Sequence, residues 1–226
     1  MSRADLHVHT VHSDGSSTPL QVLRAARGRG LAVIAITDHD TITGALEAAE
    51  IAEHDPELPA VVVGEEVSSR AGHIVGLFLT SRVAAGLSAG ETVARIHGQG
   101  GLAIAVHPFW KIGRHGIGPA VLRDVHFDAM EIANGAPAPS MWIANRKARR
   151  FSAERPRVVT GGSDAHRDLA VAWTATEFDG TTALDLRQAI ERGATRAVRS
   201  RPVPIDVVRY VGGAAIRHPR MLFQEL

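Results

Sequence analysis

The stretch LAVIAITDHDTITGALEAAEIAEHD (31–55) contains a strand, a polar turn and a helix in immediate succession. Its first seven residues are apolar or β-branched, a pattern typical of a strand that is buried on both faces. The segment 43–55 is rich in helix-forming residues and ends before Pro56. The order predicts a βα unit with the polar residues TDHD (37–40) at the carboxyl end of the strand.

The same alternation continues along most of the chain. Strands are predicted at 5–10, 31–37, 60–69, 73–79, 102–108, 129–134, 157–164 and 174–178. Helices are predicted to begin near Pro19 and to cover 43–55, 89–98, 119–124, 140–153 and 182–193. Repeated strand–helix alternation predicts an α/β fold with a mainly parallel sheet, and many repeats favour a barrel.

Three helix starts carry capping boxes, in which a Ser or Thr precedes an acidic residue or Gln by three positions. These pairs are Thr18 with Gln21, Ser88 with Glu91, and Thr182 with Asp185. The strands 60–69 and 73–79 are separated by a tight turn at 70–72, which predicts an antiparallel hairpin. With no linker or internal repeat in the sequence, we expect a single domain over 1–226, although the tail from about 201 to 226 has no clear periodicity.

The composition excludes several classes of protein. The chain has 226 residues, no cysteine and a formal net charge of +1. Disulfides, thiolate nucleophiles and cysteine-based zinc sites are therefore excluded, and no global field favours nucleic acid or an anionic membrane. The N-terminal residues lack an apolar signal core and no window approaches the length of a membrane span, so we expect a cytoplasmic protein.

Imidazole and carboxylate side chains accumulate at the predicted strand ends. Six of the twelve histidines lie there or in the adjoining turns, together with several acidic residues. Any one of them could be an ordinary buried or turn residue. All of them at one end of a barrel would leave costly unpaired polar groups unless something bound them. Imidazole and carboxylate are ligands of divalent transition metals, so the sequence predicts a metal site.

The motifs DLHVHTVHSDGSSTP (5–19), ITDHDTITG (36–44), GEEVSS (64–69), AVHP (105–108) and GGSDAH (161–166) resemble the successive motifs of the PHP family, named for polymerase and histidinol phosphatase. The resemblance covers residues 4 to 200. FDAMEIANG (127–135) followed by a helix is similar to the small stand-alone phosphoesterase branch. The resemblance implies a distorted (β/α)7 barrel with two or three metal ions at its C-terminal face.

The resemblance also implies a set of metal ligands. One ion would be held by His7, His9, Asp164 and a glutamate, and that glutamate would bridge to a second ion on His73 and His107. A third ion would lie on Asp14, His39 and His166. The family motif G-x-E assigns the bridge to Glu66, with Glu65 as the alternative. Zn²⁺, Mn²⁺ and Fe²⁺ are all compatible with these ligands.

The implied function is that of a metal-dependent phosphoesterase, which hydrolyses a small phosphoester such as a nucleotide or sugar phosphate with metal-activated water. The candidates for the leaving-group acid are Asp38, Asp40 and His166. Cationic or amide side chains would be expected to bind the substrate. The candidates for this role are Arg146, Lys147, Asn134 and Arg114.

Two alternatives remain open from the sequence. A metal centre of this kind would also serve a hydrolase of amides, esters or carbamates, and the EIANG stretch resembles a PHP branch with such activity. The second alternative is a non-catalytic metal-binding regulatory module, against which the full set of ligand types argues. Since the chain lacks a large inserted helical subdomain, a nucleic-acid partner is expected only as a short nucleotide.

Overall fold

The architecture is given by a computed structural model that describes residues 1–111, 115–155 and 157–200. Nine strands are present in these ranges: β1 Ser2–Asp5, β2 Val33–Ile36, β3 Ala60–Ser69, β4 Gly72–Leu77, β5 Leu102–Ala105, β6 Ala129–Asn134, β7 Val159–Gly162, β8 Thr174–Phe178 and β9 Arg196–Arg199. The helices are α1 Pro19–Gly28, α2 Thr43–Glu53, α3 Ala89–His97, α4 Pro119–Asp124, α5 Pro139–Glu154 and α6 Ala183–Glu191. Arg114 and the tail from 201 lie outside the described residues.

The strands form one sheet in the order β7-β6-β5-β4-β3-β2-β1-β8-β9. The pairs β1–β2, β2–β3, β5–β6 and β6–β7 are parallel. β4 is antiparallel to both β3 and β5, which confirms the predicted hairpin, and β8 is antiparallel to β1 and β9. The sheet is nearly closed, and the predicted α/β fold with a distorted, PHP-type barrel is confirmed.

Hydrophobic burial explains why these segments form strands and helices. Every residue of β2 is buried, as its continuous apolar run predicts. Alternate β2 residues contact two different layers: Ile34 and Ile36 pack against α1 and α2, whereas Val33 and Ala35 face the barrel interior with Val62. The three predicted capping boxes are all formed, at the starts of α1, α3 and α6.

Two details of the prediction were wrong. The first strand ends at Asp5, so His7 and His9 lie in the extended segment after the strand rather than inside it. This segment is held by the turn after β7, where the backbone N–H of His9 donates to the carbonyl of Ala165 at 2.9 Å. Strand β9 was not predicted, because its sequence RAVR is short and its end residues are exposed.

Side-chain hydrogen bonds close the barrel between β7 and β8. The buried hydroxyl of Thr176 donates to the carbonyl of Gly161 at 2.8 Å and accepts from the Gly161 N–H at 3.0 Å. Nearby, the hydroxyl of Thr195 donates to the Val159 carbonyl at 2.8 Å. These contacts satisfy backbone groups at the outer edge of β7 that would otherwise be buried without partners.

The buried carboxylate of Asp5 joins the carboxyl ends of β1 and β7 to the segment before β8. It accepts hydrogen bonds from the backbone N–H groups of Ser163 at 2.9 Å, Ala172 at 2.8 Å and His7 at 3.4 Å. Burial raises the pKa of Asp5 to about 6, although these hydrogen bonds oppose the rise. Asp5 therefore fixes the backbone on which the histidine-rich segment is built.

Within the described ranges, every helix is too short or too polar to span a membrane.

We predict that Thr176→Val lowers the free energy of unfolding by about 1–3 kcal/mol, because it leaves the N–H and carbonyl of Gly161 without partners in a buried position. Urea denaturation followed by circular dichroism measures this change. Thr92→Val is the matched control: Thr92 is equally buried, but its hydroxyl bonds a Ser88 carbonyl that the Thr92 N–H already satisfies. Equal losses in the two variants would contradict the closure role of Thr176.

Candidate metal centre

Nine imidazole and carboxylate side chains meet at one end of the barrel. They come from β3 and β4 and from the turns that follow β1, β2, β5 and β7. The nine are His7, His9, Asp14, His39, Glu66, His73, His107, Asp164 and His166. These residues supply four overlapping groups of three or four donors, and within each group the donor atoms lie within 4.8 Å of one another.

Glu66 lies at the centre of this cluster and is almost completely buried. Its Oε1 lies 2.9 Å from Nδ1 of His73 and 2.8 Å from Nε2 of His107. Its Oε2 lies 3.1 Å from Nε2 of His7 and 3.2 Å from Nε2 of His9. Oε2 also lies 3.4 Å from Nδ1 of His39, so the two oxygens of one carboxylate face two different sets of imidazoles, the arrangement that a bridging ligand requires.

Asp164 contributes a second carboxylate beside the same two histidines. Its Oδ1 lies 3.5 Å from Nε2 of His7 and 3.3 Å from Nε2 of His9. Asp164 has a φ of 53°, in the left-handed region, so the turn after β7 aims this side chain by a backbone conformation that few non-glycine residues adopt.

A third group of donors lies at the exposed rim of the cluster. The Asp14 carboxylate, which is 51% exposed, lies 3.1 Å from Nε2 of His166 and 3.6 Å from Nε2 of His39. Its other oxygen lies 3.5 Å from Nδ1 of His9. The centre therefore extends from a buried end at Glu66 to a solvent-facing end at Asp14.

The residues fit divalent metal ions. Four buried ring nitrogens on three histidines have no hydrogen-bond partner. They are Nε2 of His7, both nitrogens of His9 and Nδ1 of His107. Four donors at 2.0–2.2 Å from a tetrahedral ion would lie roughly 3.3–3.6 Å apart. The observed spacing is close to this value. The Nε2 atoms of His7 and His9 lie 3.1–3.5 Å from carboxylate oxygens of Glu66 and Asp164.

The pKa shifts show how strongly these groups depend on one another. Burial alone would lower the pKa of His7, but the carboxylates of Asp164 and Glu66 outweigh it and raise that pKa well above its usual value. Burial would raise the pKa of Glu66, yet the neighbouring His7 and His107 hold it well below its usual range. The carboxylates are therefore charged and require positive charge beside them.

Glu65 and Glu66 point to opposite sides of β3, as alternation along a strand requires. The carboxylate of Glu65 accepts a hydrogen bond from the Val83 N–H at 2.7 Å and lies 3.9 Å from Nε of Arg82. Burial raises the pKa of Glu65 to about 7. Glu65 therefore lies outside the cluster, and the geometry favours Glu66 as the residue that faces the other donors.

The predicted acid candidates Asp38 and Asp40 are engaged elsewhere. Asp38 is buried and accepts three hydrogen bonds, from the Thr10 N–H and hydroxyl at 2.7 Å each and from the Ser13 hydroxyl at 2.6 Å. Asp40 accepts from the Ser68 N–H at 2.8 Å. These contacts hold the loops after β1 and β2 in place and give no support to a proton-transfer role. The third candidate, His166, is 32% exposed at the rim.

The predicted substrate-binding residues fall in different environments. Asn134 is buried and its amide donates to Glu131 at 3.0 Å and to Asp164 at 3.2 Å, so the geometry favours a supporting contact over substrate binding. Arg146 and Lys147 are both exposed on α5. Lys147 lines a cavity of about 430 Å³, whose described lining does not include Arg146.

That cavity lies beside the cluster and is basic and aromatic. Besides Lys147, its lining includes Arg70, Lys111, Phe109 and Trp110. The Trp110 ring lies 5.4 Å from the ring of His107, between centroids, which joins the cavity to the metal-ligand cluster. A substrate with an anionic or aromatic group could therefore extend from the cluster into this cavity.

Two further residues contact the cluster: Glu131, which the sequence analysis missed, and His115, which the sequence places in a loop expected to form part of the substrate rim. Glu131 is a buried carboxylate in β6, and His115 has its Nδ1 3.0 Å from Nε2 of His73. A signal for Glu131 was present, because a charged residue in the apolar run AMEIAN must find donors when the strand is buried. His115 lies in a glycine-rich loop whose path has no sequence pattern.

Comparison with known proteins agrees with this architecture. Residues 5–85 match the family described as PHP domain, and residues 142–195 match the family described as PHP-associated. An uncharacterized protein of Methanocaldococcus jannaschii is 38% identical over 144 residues, which cover 58% of this chain and 81% of that protein.

A second relative has a named activity. The 3',5'-nucleoside bisphosphate phosphatase of Chromobacterium violaceum is 42% identical over 79 residues, which cover 34% of this chain but 28% of the phosphatase. The chain thus spans well under half of that enzyme, and the similarity reaches only part of it.

The fold also matches a solved structure. A two-domain protein of Bacteroides vulgatus, described as containing a predicted PHP-like metal-dependent phosphoesterase, superposes with a TM-score of 0.72 over 88% of this chain and 64% of that one. At 20% sequence identity, this superposition shows a shared fold and no more. The ordered motifs, the barrel and these matches together show that the chain belongs to the PHP family.

Proposed function

We propose that the protein is a metal-dependent phosphoesterase that hydrolyses a small phosphoester, such as a nucleotide or a sugar phosphate. The observation that carries this proposal is the cluster of buried imidazoles around Glu66, in which Nε2 of His7 and both ring nitrogens of His9 lie beside carboxylates but make no hydrogen bond. The activity of the bisphosphate phosphatase relative supports the same class of substrate.

We assign the ligands to three sets, two at the buried end of the cluster and one at its rim. The first would be His7, His9 and Asp164 with Glu66, and the second would be His73 and His107 with the other oxygen of Glu66. Asp14, His39 and His166 would form the third, at the rim. His9 is close to two of these sets, since its Nε2 faces Glu66 and its Nδ1 faces Asp14.

When bound, divalent ions supply positive charge that favours deprotonation of water and neutralises a phosphoryl oxygen. The ligand side chains would fix the positions of these ions. Glu66 and Asp164 are buried whereas Asp14 and His166 are open to solvent, so a phosphoryl group is expected to approach from the rim at Asp14 and His166. Of the three acid candidates, His166 lies at the exposed end, and it would donate a proton to the leaving group only when its Nε2 does not hold the third ion, because its Nδ1 is engaged by the Asp164 carbonyl at 3.0 Å.

The basic cavity supports a substrate with a phosphate. Lys147, Lys111 and Arg70 line it, and a cation on a helix or turn beside a metal cluster can hold an oxygen of a phosphate that is not cleaved. Trp110 offers an aromatic surface to a base or sugar in the same cavity. These features favour a nucleotide-like molecule over an uncharged ester.

The metal-replete protein is expected to contain at least two transition-metal ions per chain, because the donors form separate sets on the two oxygens of Glu66. Elemental analysis after dialysis measures the content, and protein stripped with a chelator should regain hydrolysis when Mn²⁺, Fe²⁺ or Zn²⁺ is added back. A content below one ion per chain would overturn the metal centre.

Glu66→Gln is expected to abolish hydrolysis and to lower the metal content, since a neutral amide cannot bridge two cations through two charged oxygens. Glu65→Gln is the matched control: the residue is adjacent and equally buried, but it faces Val83. Metal content and turnover of a phosphoester are measured for both. A larger effect of Glu65→Gln would reverse the assignment.

Lys147→Ala is expected to reduce kcat/KM for a nucleoside bisphosphate by roughly tenfold or more, through loss of a cation that contacts phosphate, while the metal content stays unchanged. Arg150→Ala is the control, because Arg150 lies on the same helix but pairs with Glu154 at 2.8 Å. Steady-state kinetics on phosphoesters, an aryl ester and a carbamate are compared. Cleavage of the ester or carbamate with no turnover of any phosphoester would favour the alternative hydrolase.

A further inference from the structure

The carboxylate of Glu131 is buried behind the cluster, on β6, where it contacts two of the segments that carry proposed ligands and reaches a third through Asn134. Its Oε1 lies 3.3 Å from Nδ1 of His7. Its Oε2 accepts from the backbone N–H of His107 at 2.8 Å and from the Asn134 amide at 3.0 Å. The same amide donates to Asp164 at 3.2 Å.

We propose that Glu131 is a positioning residue of the metal centre, which orients His7, His107 and Asp164 together without contacting the ions. This inference rests on the proposed function, because it assumes that those three residues are metal ligands. Carboxylate–histidine pairs behind a metal orient the ring and make it a better donor.

The contact with His7 selects a tautomer. A carboxylate oxygen accepts and cannot donate, so the proton of the shared hydrogen bond belongs to Nδ1 of His7. When a bound ion takes the place of the proton on Nε2, the neutral ring keeps its proton on Nδ1, and Nε2 can donate its lone pair to an ion held beside the carboxylates of Glu66 and Asp164, which lie at 3.1 and 3.5 Å. Glu131 thereby presents the ring nitrogen that the first proposed ion needs.

The contact with His107 holds a strained backbone. His107 has a φ of 28°, which is in the left-handed region where residues with side chains are uncommon. The hydrogen bond from its N–H to Glu131 holds this conformation, from which Nε2 reaches Glu66 at 2.8 Å. Strain of this kind persists where the surrounding contacts determine the conformation.

The neighbouring strand makes room for this carboxylate. A Cβ added at Gly162, on β7, would lie 2.7 Å from Oε1 of Glu131 and 2.5 Å from Cβ of His7. The pairing of β6 with β7 also shifts register between Glu131 and Ala133. The close approach of Glu131 to His7 thus depends on a glycine at this position and accompanies an irregularity in the strand.

The test compares Co²⁺ binding to the native chain, Glu131→Gln and Glu131→Asp, by calorimetric titration and by the visible absorption of the bound ion. Glu131→Gln is expected to weaken the Kd of at least one site by 10- to 100-fold and to change the Co²⁺ spectrum, and Glu131→Asp is expected to have a smaller effect. Glu65→Gln, which removes a buried carboxylate that faces away from the cluster, should bind Co²⁺ as the native chain does.

A purely structural role would lower the melting temperature of the chelated protein but leave the Kd and the spectrum unchanged, and that result would overturn the inference. Gly162→Ala provides a second variant if Glu131→Gln does not fold, because it keeps the carboxylate and, by its close approach to both side chains, forces Glu131 and His7 apart. An unchanged Kd in Gly162→Ala would also overturn the inference. Failure of the native chain to bind Co²⁺ would overturn this inference and the metal centre together.

Discussion

The burial of negative charge at Glu66 is the constraint on which the site depends. A carboxylate removed from water is unfavourable unless its neighbours offset the lost solvation. Here the neighbours are imidazoles from β4 and from the turns after β1, β2 and β5, and several of their ring nitrogens have no hydrogen-bond partner. Such an arrangement suits cations and does not suit an apolar barrel interior. The fold requires apolar side chains inside the barrel, whereas the site requires charged and polar side chains at the strand ends.

The barrel meets these requirements with unusual backbone at the strand ends. Asp40, His107 and Asp164 all have positive φ values, and each follows a short parallel strand. A regular strand would send alternate side chains to opposite faces, whereas a left-handed residue at its end turns the chain so that a side chain faces the barrel axis. Buried carboxylates behind the turns, such as Asp5 and Glu131, satisfy the backbone N–H groups that these turns expose.

The two ends of the site differ in a way that fits hydrolysis of a small anion. The buried end at Glu66 is rigidly surrounded, while the end at Asp14 and His166 is open to solvent. The cavity lined by Lys147 and Trp110 adjoins the cluster at His107 and extends the accessible surface toward α5. The proposed phosphoester substrate would meet the proposed ions with one group and the basic cavity with another.

The sequence by itself determined the alternation of elements, the hairpin, the helix caps and the residue types of the cluster, because periodicity, capping and motif order are local properties. Only the tertiary structure decided which side chains are engaged and which face the cluster. Asp38 is indistinguishable from a catalytic carboxylate in sequence, yet Thr10 and Ser13 occupy its oxygens. Glu131 reads as one charge in an apolar strand, and its partners His7 and His107 are 124 and 24 positions away along the chain. Contacts across a barrel depend on register and closure, which no local pattern encodes.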